Sequence, residues 1–355
     1  MPKKSHLAAF VMLAFISIVA SSAQAEDGNA GYSLVDTLHL SGPTRWDYLA
    51  FDPDRKRLFI TRGDSVDVVD TATRKIIGSI ANTTGVHGVA LAPSLGRGFT
   101  SNGKANTATI FDLATLQVVS TVPTGTKPDA IAYDPATQRV FTANGESDDM
   151  TAINAKNGAV LDTIKLGGQP EFAVVDGEGR LYVNLEDKSQ LTVVDTRSLK
   201  VLAHYDYAPK CEGPTGLSID VSRHRVFAVC ANKTMLVVDA ATGKIIDALP
   251  IGEHSDASVF DPAANLAFSS NGDGTLTVIG PSGPDHYAVL QTVKTLPTAR
   301  TMALNPSTHE IYLVGAETEG FDPPNDKHPE PRPHIKPDTF MVLTVAPKIK
   351  HKTSP

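Results

Sequence analysis

Seven residues of this 355-residue chain occupy the same place in a recurring phrase: Asp47, His87, Asp129, Glu171, Thr215, Asp256 and Arg300. Four carboxylates, one imidazole and one guanidinium held together would form a concentrated charge system, the setting in which side-chain pKa values are displaced and chemistry is done. Carboxylates with an imidazole can hold a divalent cation. Oxygen donors suit Ca²⁺ or Mg²⁺, and recruitment of His87 would admit Zn²⁺ or Mn²⁺. The candidate metal donors are Asp129, Glu171, Asp256 and His87. Arg300, with Arg62, could instead grip an anionic ligand. The bland alternative is a wet, polar channel mouth in which Arg300 only balances charge.

If the group is catalytic, the economical chemistry is that of a metal-dependent hydrolase, lactonase or lyase acting on an oxygen-rich small molecule. The cation would polarise a carbonyl oxygen, and Asp129, Glu171 or His87 would transfer the proton. If it is not catalytic, the same residues would bind a small ligand, an ion or a protein partner.

The elements that must position these residues are repeats. The phrases RWDYLAFDP from Arg45, GVHGVALAP from Gly85, KPDAIAYDP from Lys127, QPEFAVVDG from Gln169, GPTGLSIDV from Gly213, HSDASVFDP from His254 and TARTMALNP from Thr298 align in register. Their matching apolar residues, Phe51, Leu91, Tyr133, Val175, Ile219, Phe260 and Leu304, recur in steps of 40 to 44 residues. Such a step fits one four-stranded propeller blade. After each phrase come a turn, a second strand (RLFIT, RVFTA, RLYVN), a polar loop, a third strand (SVDVVD, QLTVVD) and a last apolar run (KIIGSI, AVLDTI). Four short strands punctuated by turns read as an antiparallel meander, which must stack with others to bury both faces. The expected fold is all-β: a seven-bladed β-propeller of four-stranded antiparallel blades spanning 32–346.

Strand one of a blade is innermost, so the seven-residue column should ring one mouth of the central channel. The connection from strand two to strand three lies at the same end, which predicts that Arg62, Asn102, Asn144, Glu186, Asn232 and Asn271 rim that mouth. Lys127, Lys210, Glu212 and His254 belong to the entering loops. Asp70, Asp112, Asp195 and Asp239 end third strands before turns and are read as turn acceptors. The Asp-Pro pairs at Asp52, Asp134 and Asp261 are read as turn starters. Trp46, the only Trp, is read either as packing between blades or as a stacking platform for a planar ligand.

Tyr32 to Leu40 resembles a fourth strand without a blade of its own, whereas the last repeat has only three strands. The N-terminal strand is therefore expected to complete the last blade and close the ring, removing open sheet edges. That last blade carries a Pro-rich insertion over 316–338. It is expected to stay outside any sheet and to lie near the ring as an edge shield, or as an arm with His328 and His334 as contacts.

Cys211 and Cys230 flank strands one and two of the fifth repeat and are read as a disulfide, with a thiol pair at a metal as the alternative. Neither a C-x-x-C-H haem motif nor a four-Cys zinc pattern is present. The N-terminus has Lys3 and Lys4, an apolar run from Leu7 to Ala20 and the small-residue site Ala23-Gln24-Ala25. Together these predict a signal peptide over 1–25, cut after Ala25. A periplasmic or secreted protein follows, with no membrane span after cleavage. Residues 347–355 form a basic tail. Hydrophobic residues make up 41% and charged residues 20%, and the net charge is -7, so the composition supplies a core and disfavours nucleic acid as partner. A monomer is expected.

Arg139-Val-Phe-Thr-Ala-Asn144 and Leu191-Thr-Val-Val-Asp-Thr196 carry a further signal. They resemble the blade patterns of exported YVTN-type β-propeller repeat proteins, R-L/V-Y/F-V-T-N followed by T-V-x-V-I/V-D-T. The resemblance runs from about Tyr32 to Val345. It implies the architecture and leaves activity open, because propellers host binding modules and enzymes alike. The last repeat departs from the pattern in its insertion and in lacking the terminal Asp of strand three.

Overall fold

The computed structural model describes residues 31–323 and 332–348. The expected signal segment, His328 and all of the tail beyond Lys348 lie outside the described residues. Seven four-stranded antiparallel sheets follow one another along the chain, each a meander except the last, and the protein is an all-β seven-bladed propeller. Blade one comprises Leu49–Asp52, Arg57–Thr61, Val66–Asp70 and Lys75–Ile80, and blades two to six repeat that order.

Second and third strands are buried almost throughout, on both faces, which explains why they read as continuous apolar runs. Each second strand places an aromatic ring in the interior: Phe59, Phe99, Phe141, Tyr182, Phe227, Phe268 and Tyr312. The core is divided accordingly. Seven buried clusters occupy the seven seams between neighbouring blades. Phe59 meets Phe111 across the first seam at 5.8 Å, and Phe227 stacks on Phe260 across the fifth at 5.3 Å. Gly98 stands where five of the other blades carry a branched residue and blade six Ala267, for a steric reason. A Cβ on it would come within 2.1 Å of the Phe111 ring. Fourth strands form the outer rim and leave Ile76, Ile77, Val118, Val119, Val160 and Leu161 exposed.

The turns after third strands are held as their residue types suggest. Asp112 accepts from the backbone N–H groups of Ala114 at 3.0 Å and Thr115 at 2.8 Å, and Asp70, Asp195 and Asp239 make the equivalent bonds. Arg57, at the start of strand two, reaches into the next blade and donates to Leu113 O at 2.7 Å. Arg139 likewise donates to Thr196 O and Arg197 O.

The last blade has the order Tyr32–His39, Met341–Pro347, Glu310–Gly315, Thr301–Asn305. The N-terminal strand lies outermost, antiparallel to the C-terminal one, in register from Tyr32↔Pro347 to His39↔Met341. It closes the ring. The Pro-rich insertion departs from expectation, since Thr318–Asp322 pairs with Arg332–Ile335 as a two-stranded ribbon. Pro333 fits opposite Phe321 because both edges of such a ribbon are free, so a missing N–H leaves no ladder bond unmade.

Cys211 and Cys230 form a disulfide with a Cα–Cα distance of 5.5 Å, both residues fully buried. It ties the loop entering blade five to the end of that blade's second strand, so neither sulfur is available as a metal thiolate. The two cysteines are 19 residues apart. Closing a loop of that size reduces unfolded-chain entropy, so Cys211→Ala/Cys230→Ala should lower the unfolding free energy by about 3 kcal/mol. Urea titration of the double variant against the oxidised parent measures this; equal midpoints and slopes would show that the crosslink contributes nothing.

Candidate functional site

The ring residues share a backbone device. Pairing of strand one with strand two is interrupted between Val86 and Gly88, Pro128 and Ile131, Pro170 and Ala173, Pro214 and Leu217, and Ser255 and Ala257. His87, Asp129, Glu171, Thr215 and Asp256 each fall inside that irregularity, which turns the side chain out of the sheet alternation. Asp47 and Arg300 sit just before the first paired residue of their strands.

The ring backbone is then pinned from the preceding blade. Ser101 Oγ donates to Asp129 O, Asn184 Nδ2 to Thr215 O at 2.7 Å, Ser270 Oγ to Arg300 O at 2.5 Å, and Thr301 Oγ1 to Asp47 O at 2.8 Å. A blade cannot shift without moving its neighbour's ring residue.

On one side of the mouth, His87 Nδ1 lies 2.5 Å from Asp47 Oδ2 and 3.7 Å from Asp129 Oδ2. One ligand atom from each of Asp47, His87 and Asp129 lies within 4.8 Å of the others, and all three residues are half-buried. On the other side, Arg300 Nε binds Asp256 Oδ2 at 3.1 Å. Glu171 accepts from the Tyr48 hydroxyl at 3.4 Å, and the Tyr48 ring meets Phe172 edge-on at 5.0 Å. Thr215 turns its hydroxyl to Ser255 O at 3.0 Å and adds no charge. Gly103 gives the imidazole its space, since a Cβ there would fall 2.8 Å from His87.

Crowding these acids displaces their protonation. Burial pushes the Asp129 carboxyl up to about 7, aided by the Asp47 charge and opposed by His87. Burial raises Glu171 well above the carboxylate range, with the charges of Asp129 and Asp256 adding to it. Asp256 is also raised by burial, against the pull of Arg300. For His87, burial disfavours the charged ring. The hydrogen bond to Asp47 and the charges of Asp129 and Asp47 outweigh it and raise the pKa. Tyr48 is raised well above its usual value by burial and by four surrounding carboxylates.

Tyr48 and Phe172 were not anticipated as part of the site. The signal was present: one residue past the ring position, other repeats carry Gly88, Ala130, Gly216, Ala257 and Thr301. Two bulky aromatics in that column fill the channel instead of leaving it open.

Four residues expected at the rim have their side chains elsewhere, among them Asn271, fully buried with its amide donating to Thr275 at 3.0 Å and Thr277 at 3.1 Å. Arg62 is buried between blades seven and one, donating to Ser41 O and Pro43 O, pairing with Asp67 at 3.3 Å and lying 3.8 Å above the Phe340 ring. Asn102 spends its amide on Thr107 at 3.1 Å and Thr109 at 2.9 Å, and Asn144 on Asp149 at 2.8 Å and Thr151 at 3.0 Å. A residue ending strand two faces the third strand across the loop, and those hydroxyl and carboxylate partners satisfy it there. Glu186 accepts from Gln169 Nε2 at 3.0 Å in the loop entering blade four, and its charge helps to raise Glu171 and Asp256. Trp46 packs against Phe340 at 5.3 Å, as an inter-blade contact.

No family model and no curated protein matches the chain. Among solved structures, hydrazine synthase from Kuenenia stuttgartiensis is similar with a TM-score of 0.68 at 15% identity, over 78% of this chain and 94% of that one. The structure of U3-55K is similar with a TM-score of 0.73 at 10% identity, over 88% and 99%. At these identities the likeness is one of fold: the chain is a β-propeller. Among the described residues no helix is long and apolar enough to cross a membrane.

The displaced protonation has a sign. Asp129 keeps its proton in the folded state at pH values where the unfolded chain has lost it, so its contribution to stability falls as pH rises from about 4 towards 7. The raised His87 acts in the same direction, losing stabilisation as pH rises through its folded pKa. In chelator-treated protein Asp129→Asn should therefore be more stable than the parent at pH 8, by on the order of 1–3 kcal/mol, with the advantage shrinking by pH 5. Denaturant titrations at the two pH values test it; a variant less stable at both would mean the carboxylate is well solvated or paired.

Proposed function

We propose that this chain is an exported binding propeller of the YVTN-type repeat group whose channel mouth takes a divalent cation and, through it, a small ligand. The observation that carries the reading is the convergence of Asp47, His87 and Asp129 from three successive blades to within 4.8 Å. That spacing is what two metal–ligand bonds of ordinary length allow between donor atoms. Glu171 stands nearby, faced by Tyr48 and by other acids, and a dication is what would let it ionise. One nitrogen among oxygens suits Zn²⁺ or Mn²⁺. Ca²⁺ or Mg²⁺ would draw on Glu171 and Asp256 in place of the imidazole.

Export is supported by the apolar N-terminal segment with its Ala23-Gln24-Ala25 site and by the Cys211–Cys230 disulfide, a bond that persists in oxidising compartments. The reading therefore places the protein in the periplasm or outside the cell, acting as a monomer. YVTN-type membership rests on the blade phrases at Arg139–Asn144 and Leu191–Thr196.

A second reading is favoured by the placement of Asp129, its carboxyl pushed up to about 7 by burial, 3.7 Å from His87 Nδ1. A bound cation would lower that carboxyl's pKa, and Asp129, Glu171 or His87 would then transfer the proton in a metal-dependent hydrolase, lactonase or lyase.

Elemental analysis of mature protein purified without chelator or affinity metal, and titration of Zn²⁺, Mn²⁺ and Ca²⁺ into stripped protein, test the first reading. One equivalent of metal is expected in the parent and none in Asp47→Ala/Asp129→Ala. Metal absent from both samples and no saturable binding in the titration would overturn it. Turnover of lactones or esters by the metal-loaded parent, lost in Asp129→Asn with metal retained, would establish the second reading; inactivity leaves the site as a binding site.

A further inference from the structure

Far from the mouth, at the seam between blades seven and one, lies a cavity of about 340 Å³ on the opposite face. Its walls are Phe51, Leu58, Val69 and Val342, and its polar lining includes Thr71, Ala72, Glu310, Lys56, Arg74 and Asp36. The repeat explains why this seam is open. Blades one to five each begin strand two with an arginine, and in blades one, three and five it reaches the next blade around its third-to-fourth-strand turn. Arg57 donates to Leu113 O, Arg139 to Thr196 O and Arg197 O, and Arg225 to Asp285 Oδ1 at 2.8 Å. Blade six faces the closing blade, which has no such turn, and carries Leu266 instead. Blade seven faces a turn, Thr71 to Arg74, yet carries Glu310.

The acceptors remain while the donor is gone. By register Thr71 O and Ala72 O correspond to the Thr196 and Arg197 carbonyls that receive Arg139. Among the described residues neither carbonyl receives a donor. Glu310 adds a carboxylate held in place through Oε2, which accepts from Tyr312 Oη and Thr308 Oγ1, both at 2.8 Å. At the rim Arg74 is neutralised by Asp36 at 2.8 Å, which leaves Lys56 as the exposed cation.

We propose that this seam binds a small guanidino acid, a ligand whose guanidinium replaces the missing in-chain arginine and whose carboxylate meets Lys56. Two carbonyls and a carboxylate facing one cavity match the planar fork of guanidinium donors. The apolar walls cover the aliphatic stem, as a Lys or Arg stem is covered along apolar surface. The volume is that of a small-ligand pocket.

L-Arginine is the probe, by calorimetric titration and thermal shift on the full mature chain, with agmatine, which lacks the carboxylate, as comparison. Saturable binding of L-arginine is expected, weaker by about tenfold in Glu310→Gln. It should vanish in Glu310→Arg, which restores the residue type that blades one, three and five use and whose own melting curve shows that it folds. Agmatine should bind the parent more weakly than arginine, and the two should become equal in Lys56→Ala. Absence of saturable arginine binding at millimolar concentration overturns the proposal. Binding that survives unchanged in both Glu310 variants, or that does not distinguish agmatine from arginine in the parent, overturns it as well.

Discussion

The ladder between Tyr32–His39 and Met341–Pro347 is the constraint on which the rest depends. Six blades are covalent meanders, each able to form its sheet from one stretch of chain. The seventh exists only when the two ends of a long chain meet, so its pairing carries the largest loop-closure cost in the molecule. In return it covers the two open blade faces that a linear array would expose. It also brings Arg300 beside Asp47, which the Thr301–Asp47 hydrogen bond records. Without closure the ring of side chains would be an arc, and the mouth would have no enclosed space in which charges interact strongly.

Closure also explains where the molecule departs from its own repeat. Blade seven inherits its outer strand from the far end of the sequence, so it lacks a turn between its third and fourth strands. Leu266 in blade six answers that absence. Glu310 does not follow from it, because blade one offers an ordinary turn to receive an arginine. The insertion between the second and third strands of the same blade is a further departure, and it forms its own ribbon without disturbing the ladder on either side. Irregularity thus gathers at the one blade whose strands are not consecutive.

The architecture was legible because a step of 40 to 44 residues and the position of the unpaired first strand leave little else. The ring column was legible for the same reason: side chains at one register of a symmetric array must lie on one circle. What periodicity could not supply was the fate of each polar side chain. Asn102 and Asn144 end strand two at the correct end of the sheet, yet side-chain oxygens two residues apart on the next strand, Thr107 and Thr109 or Asp149 and Thr151, capture their amides. Arg62 stands in the same column and turns inward, because Phe340 offers a ring face and Pro43 and Ser41 offer carbonyls. Such partners come from other blades or from loops, where the repeat makes no statement. Tyr48 and Phe172 were visible as bulky exceptions in a column of small residues, a signal that only comparison between repeats exposes.

The ring itself is costly to assemble. Its acids are partly buried among one another, and among the described residues of the ring Asp256 alone forms an ion pair with a guanidinium, that of Arg300. His87 serves Asp47 and Asp129 together, and Glu171 has a phenol. A fold selected for stability alone would replace such a group with apolar residues of similar volume, as the interior of every seam does. The bonds that hold the ring backbone point the other way: Ser101, Asn184, Ser270 and Thr301 each hold a neighbour's carbonyl, and those of Ser101 and Thr301 fix Asp129 and Asp47, two of the crowded acids. Rigid support beneath a crowded acidic cluster stores unfavourable energy, which the proposed cation would release on binding. Under the proposed reading, this is the physical sense in which the mouth is organised for a ligand and not merely exposed to water.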